Sequence, residues 1–182
     1  SAGTTTSAID FSMAANGTIS GRIIDASTGL ALAGAGVSLY SSTGFAGGTA
    51  YSDSQGNYRI HGSISPGTYD LVASLPSFLS QVYQNLNTCD DSTCDFTSAT
   101  PVVMSIGSAT SGIDFALSPA GSLSGSVKDA LTSQPVSSAT VTLFTTSGAQ
   151  RALTSTDYYG NYSFSGLRAG TNFRIVANMA DY

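Results

Sequence analysis

"DSQGNYRIHG" (residues 53–62) and "DYYGNYSFSG" (residues 157–166) are nearly one phrase, written twice in a chain of 182 residues. Each starts with Asp, carries Gly-Asn-Tyr at its centre and closes on Gly. Asp followed three places later by Gly is turn chemistry, because the carboxylate accepts backbone hydrogen bonds and Gly takes a positive φ without strain. The residues after each turn alternate. Tyr58 and Ile60, like Tyr162 and Phe164, fall on one side of an extended strand, with polar residues between them. The expectation is a hairpin turn at Asp53 and Gly56, repeated at Asp157 and Gly160. A calcium site at Asp53 or Asp157 is the competing reading. Calcium takes about six to eight oxygen ligands, and each phrase supplies one carboxylate.

The spacing of 104 residues recurs well beyond this phrase. Ile9-Asp10-Phe11 returns as Ile113-Asp114-Phe115, Gly17 as Gly121, Gly21 as Gly125 and Asp25 as Asp129. Val37-Ser38-Leu39-Tyr40 returns as Val141-Thr142-Leu143-Phe144, and "PGTYDLVA" as "AGTNFRIVA" with a one-residue slip. Such a period marks a tandem repeat. The expected division is the end of a preceding repeat over residues 1–16, a first repeat over 17–117 and a second over 118–182. The opening "SAGTTTSAIDF" has no initiator Met and no leader, so the chain reads as a piece of a longer array. Whether the Ile-Asp-Phe strand opens a repeat or closes one is left open by the sequence.

Composition narrows the function. Charged residues make up 9% of the chain against a usual quarter or so, and hydrophobic residues 41%. A core is within reach, and this is not the profile of a disordered chain. The net charge is −5 and the pI about 4.3. Such a surface repels phosphate backbones and has no basic stripe to offset that, which argues against nucleic acid as a partner. No apolar run approaches the roughly 20 residues of a membrane-spanning helix. Cys89 and Cys94, in "NTCDDSTCDF", have neither a second Cys pair nor C-x-x-C spacing for a metal or redox site. A disulfide closing a small loop is expected, contributing about 2 kcal/mol and placing the chain in an oxidising compartment, secreted or at the cell surface. Asp90, Asp91 and Asp95 around it read as a solvated acidic loop, with weak cation binding the lesser reading.

Period-two alternation runs through "TISGRII", "SLSGSVK", "GVSLYS", "TVTLFT", "YDLVA" and "FRIVA", and "TPVVMSI" and "SGIDFAL" add two strands to the first copy. The only helical candidate is "SFLSQVYQNL" (77–86), one or two turns at most, and "STGFAGG" (42–48) reads as a hairpin loop. About seven short strands per copy, punctuated by turn residues, predict an all-β fold of tandem Greek-key sandwiches.

The ordered set Gly-x-Ile-x-Gly, Asp-x-x-Thr-Gly, Val-x-Leu-Tyr, Asp-x-x-Gly-x-Tyr and Pro-Gly-Thr-Tyr, over most of both copies, resembles the carboxypeptidase regulatory-like domain. That family belongs to the transthyretin-like (prealbumin-like) sandwiches, beside the collagen-adhesin B-type modules. The resemblance implies a non-catalytic accessory module. Some relatives sit beside peptidase or glycosidase domains, and others build surface stalks and adhesins, including bacterial proteins with tandem copies. A Lys–Asn/Asp isopeptide of the B-type kind is not expected. Lys128 is the only lysine, and its strand parity points it outward.

Candidate chemistry is sparse. His61 is the only histidine a Ser–His–Asp triad could use, and its counterpart in the second copy is Ser165. It reads as an outward-facing strand residue, and the chain as no enzyme. No cofactor and no catalytic or metal-binding residues are assigned. Tyr40, Tyr51, Tyr83, Tyr158 and Tyr159 are candidates for stacking on sugar rings, whereas Tyr58, Tyr69 and Tyr162 have core parity. The leading expectation is a spacer, stalk or adhesion module of a larger secreted or surface protein, partnered by neighbouring repeats and by surface glycans or proteins. The alternative is a carbohydrate-binding or accessory domain of a secreted hydrolase.

Overall fold

The computed structural model describes residues 3, 10–11, 16–62, 64–84, 89, 94, 96–97 and 99–180. Most of the expected preceding-repeat segment, residues 1–16, and the acidic residues Asp90, Asp91 and Asp95 lie outside these. The described residues form strands and turns with no helix. No helix among them is therefore long and apolar enough to cross a membrane.

The first module holds β1 (Thr18–Asp25), β2 (Gly36–Ser41), β3 (Gly44–Tyr51), β4 (Asn57–Ile60), β5 (Gly67–Ser74), β6 (Gln81–Val82), β7 (Val102–Met104), β8 (Ala109–Thr110) and β9 (Phe115–Leu117). One sheet runs β4-β1-β8, with β9 also on β1. The other runs β3-β2-β5-β6, with β7 also on β5. The two sheets close on one core, as the alternating pattern requires. Ile19 and Ile23 of β1, Tyr58 and Ile60 of β4, and Phe115 and Leu117 of β9 meet Val37 and Leu39 of β2, Leu71 of β5 and Met104 of β7. Burying side chains of this size contributes about 1.5–3 kcal/mol each. The all-β sandwich read from the sequence is the observed fold.

The second module repeats five of these strands at the same spacing: β10 (Gly121–Ser126), β11 (Thr140–Thr145), β12 (Gln150–Ser155), β13 (Asn161–Leu167) and β14 (Phe173–Asn178). β10 pairs with β13, and the other sheet runs β12-β11-β14. Its core is a separate, smaller cluster of Val141, Leu143, Phe164 and Leu167.

The Ile-Asp-Phe strand closes the first module instead of opening the second. β9 lies parallel to β1, pairing Ile23 with Phe115 and Asp25 with Leu117. This position depends on a notch at Gly21. A Cβ there would overlap the Ile113 carbonyl oxygen. That carbonyl accepts a 2.6 Å hydrogen bond from the buried Tyr58 hydroxyl, and Asp114 Oδ1 accepts one from Arg22 N at 2.8 Å.

Three expectations change. "STGFAGG" is mostly strand, because Gly44 begins β3 and only Ser42 and Thr43 form the loop. Gly47 and Gly48 take positive φ where the β2–β3 register shifts, so the glycines serve a bulge. The helical candidate over 77–86 contains β6 instead, paired antiparallel with Val72 and Ala73 of β5. Among the described residues the first module has nine strands, since β6 and β8 are two-residue strands that no periodicity registers.

Candidate functional site

The two Asp turns have the same geometry. Asp53 Oδ1 accepts from the amides of Gln55 and Asn57, both at 2.9 Å, and Asp157 Oδ1 from those of Tyr159 and Asn161, both at 2.8 Å. These bonds lower both carboxyl pKa values, the backbone bond from Asn57 or Asn161 being the largest cause. In each turn Oδ1 is thus engaged by backbone, and Asp157 Oδ2 accepts from Asn161 Nδ2 at 3.3 Å. Gly56 and Gly160 take φ of 80° and 76°. The turn is not that of a β-hairpin, however. β3 pairs with β2 while β4 pairs with β1, so Asp53 turns the chain from one sheet to the other.

Just before each turn stands a buried hydroxyl that pattern reading passes over. Ser52 Oγ donates to the Leu32 carbonyl at 2.6 Å and accepts from Ala35 N at 2.9 Å. Thr156 Oγ1 does the same with Val136 O at 2.7 Å and Ala139 N at 2.9 Å. Both residues are 6% exposed. Their signal in the sequence is that the repeat keeps a hydroxyl at both positions, next to the Asp.

Cys89 and Cys94 form the expected disulfide. Cys89 is buried against Val72 and Val82, with Tyr40, Cys94, Phe96 and Ala99 packed around them. The disulfide therefore sits over the outer face of β5. Asp70 Oδ1, of the same parity as Val72, is buried without a hydrogen-bond partner among the described residues, as is Gln81 Oε1, whose strand partner is Ala73 on the opposite face. Burial raises the Asp70 pKa. A depression of about 330 Å³ opens beside the disulfide, lined by Tyr40, Val72, Phe78 and Leu79 and, from the second module, by Gly166.

The modules join close by. Leu79 N donates to Ser118 O at 2.9 Å and Ala120 N to Ser77 O at 2.8 Å, and Phe78 and Pro119 form an isolated antiparallel bridge. The connection is hydrogen-bonded into the edge of the first module, and Pro119 fixes its own φ.

The candidate sugar-stacking tyrosines do not come together. Tyr83 is buried, edge-on to Phe115 at 5.7 Å, so its ring belongs to the core. Tyr40 is half-buried between Phe45 and Phe96. Tyr51, Tyr158 and Tyr159 are exposed. The last two meet at 5.3 Å with an interplanar angle of 85°, perpendicular instead of presenting one flat platform. His61 is exposed just beyond β4, beside Tyr51 and Arg59. Lys128 is exposed and bridges Pro135. Among the described residues no three His, Cys, Asp or Glu side chains gather as metal ligands.

A family model described as the carboxypeptidase regulatory-like domain matches residues 18–118 and again residues 122–182. The chain belongs to the carboxypeptidase regulatory-like domain family. No curated protein matches it. Among solved structures, these carboxypeptidase regulatory-like modules are similar to the Bacillus anthracis TIE protein (12% identity, TM-score 0.39, covering 91% of this chain and 28% of that one). They are similar to a streptococcal ancillary pilin (15%, 0.42, 91% and 59%). They are also similar to the shaft pilin SpaA of Lactobacillus rhamnosus GG (12%, 0.39, 93% and 89%). The chain thus spans less than two thirds of the first two of these proteins.

Proposed function

We propose that the chain is a non-catalytic, extracellular spacer in which successive carboxypeptidase regulatory-like modules hold one another at a set distance and angle. The observation that carries this reading is the junction. Each module has its own core, and the residues between them, 118–120, are bonded back to Ser77 and Leu79 instead of hanging free. A tether of this kind removes the freedom that a Gly/Ser linker would leave. The disulfide supports placement outside the cell, because such bonds persist in oxidising compartments. The partners of each module are then first its neighbours in the same polypeptide.

The test is the distance distribution between spin labels on Thr43 and Ser147, one exposed loop in each module. A single narrow distribution is expected, broadening when residues 118–120 are replaced by Gly-Ser-Gly. A distribution already as broad in the unaltered chain would refute the spacer reading.

A further inference from the structure

The first module carries another depression, away from the disulfide, on the side where its two sheets end. β3 is the edge of one sheet and β4 the edge of the other, and among the described residues neither has a further strand beside it. Between them opens a hollow of about 260 Å³, lined by Gly48, Thr49, Tyr51, Arg59, Ile60 and His61. Ile60 faces the core, so Arg59 and His61 on either side of it turn outward.

The polar and aromatic groups of the hollow stand ready for a ligand. Tyr51 is 70% exposed, yet its ring is placed. It lies against Gly36, its partner across the β2–β3 ladder, where a Cβ would stand 3.4 Å from the ring. Arg59 is exposed, and among the described residues no hydrogen bond or ion pair engages its side chain. Asp53, the acid nearest Tyr51 in sequence, is occupied with the amides of Gln55 and Asn57. The only other Lys or Arg in residues 17–117, Arg22, donates to the Gln55 carbonyl at 3.0 Å. In a chain of net charge −5, a guanidinium left without a counter-charge invites an anion.

The repeat separates what the sandwich needs from what the hollow adds. Tyr58 and Ile60, which build the core, return as Tyr162 and Phe164, and Ser52 returns as Thr156. Tyr51, Arg59 and His61 all return as serines, Ser155, Ser163 and Ser165, and Gly36 beneath Tyr51 returns as Thr140. The register is the same in both modules, pairing Gly36 with Tyr51 and Thr140 with Ser155. The same strands therefore form with the trio and without it.

We propose that this hollow binds a carboxylate-bearing sugar, a hexuronic acid unit of an acidic polysaccharide. The Arg59 guanidinium takes the carboxylate through two parallel N–H···O bonds. The electron-rich face of Tyr51 receives the C–H bonds on one side of the sugar ring. The His61 imidazole serves a sugar hydroxyl. Because Gly36 already seats the Tyr51 ring, little ordering is left for binding to impose. The volume of about 260 Å³ lies just under the roughly 300 Å³ at which sites for drug-sized molecules begin, which suits one ring. An acidic peptide adding as a strand fits less well. β4 has four residues, and β3 breaks register near Gly47 and Gly48, both at positive φ, so neither edge offers a continuous ladder. This goes beyond the spacer reading and does not depend on it.

Amide chemical shifts of the 182-residue chain, followed while trigalacturonate or a hyaluronan tetrasaccharide is added to tens of millimolar, test the proposal. Maltotriose and a triglutamate peptide are the neutral and the non-sugar controls. Shifts should gather at residues 49–51 and 59–61 with the uronates and leave Ser155, Ser163 and Ser165 unmoved. Arg59→Ser, which installs the residue of the second module, should weaken binding by about tenfold or more. Tyr51→Ser should weaken it as well, while Tyr51→Phe, which keeps the ring, should bind as the unaltered chain does. The same spectra report whether each variant is folded. No shift at residues 49–51 and 59–61 with either uronate overturns the inference. So does an affinity untouched by Arg59→Ser. Maltotriose binding equally well would deny the carboxylate its role, and triglutamate binding equally well would make the hollow a peptide site; either overturns the inference.

Discussion

The repeat allows one substitution to be made twice in different surroundings. Gly21→Ala and Gly125→Ala occupy the same place in β1 and β10, 104 residues apart. At Gly21 the new methyl overlaps the Ile113 backbone carbonyl, which cannot rotate aside. β9 must move, and the Tyr58–Ile113 hydrogen bond is lost. Stranding those buried polar groups costs about 1–3 kcal/mol. Loosening Phe115, 2% exposed, forfeits about 1.5–3 kcal/mol more. A loss of about 3–5 kcal/mol is expected, large for a single methyl group. At Gly125 the methyl meets the hydroxyl end of the half-buried Tyr162, 2.6 Å away, which can swing out. The cost there should be about 1 kcal/mol or less, because Ala also suits a strand better than Gly. A single unfolding free energy is not defined for two modules with separate cores. The assay is therefore native-state hydrogen exchange read module by module, with Leu39 and Leu71 reporting the first and Val141 and Leu143 the second. Equal losses at the two positions would refute the notch argument, as would a Gly21→Ala loss within about 0.5 kcal/mol of zero.

Other outcomes follow from the same geometry. Ser52→Ala and Thr156→Ala each leave a buried amide and carbonyl unpaired, and each should cost its own module about 1–3 kcal/mol in denaturant titrations. Cys94→Ser, or reduction, should cost the first module about 2 kcal/mol and weaken the near-ultraviolet signal of Tyr40. The carboxyls of Asp25, Asp53 and Asp157 are held below their ordinary value, Asp25 chiefly by the Ser27 hydroxyl and the other two by backbone amides. Their contribution to stability is therefore complete above the unfolded-state carboxyl pKa of about 3.9 and is lost as pH falls through the lower folded values. Asp70 works the other way. Burial raises its pKa, so its penalty is complete above the folded value and is relieved as pH falls. Carbon-detected titration of the four carboxyls should place Asp70 above the other three.

Much of the fold is legible because alternation and burial coincide. Val37 and Leu39, two residues apart, can face inward together only from a strand, and Val141 and Leu143 of the 104-residue repeat make the reading twice. The failures have physical causes. Residues 44–48 are poor in side chains, so nothing alternates, yet ladder bonds to β2 and positive-φ glycines hold them in β3. β6 is too short to show a period, and its pairing with β5 comes from tertiary packing. Tyr83 has an amphipathic ring equally suited to a surface, and only its approach to Phe115 buries it. The Asp turns are legible as turns, but whether a turn joins neighbours or crosses between sheets depends on partners far along the chain. The junction and the Gly21 notch depend on backbone atoms of residues 113 and 118–120, which leave no side-chain pattern to read.

The central claim is that the chain is two sandwich modules with separate cores, the second the smaller among the described residues. Amide exchange across a denaturant series, at a concentration where the chain is monomeric, tests it directly. The account predicts two cooperative opening events, with Val141 and Leu143 exchanging at a lower free energy than Ile19, Leu39 and Leu71. One common opening free energy for all five would mean a single cooperative unit and would contradict it.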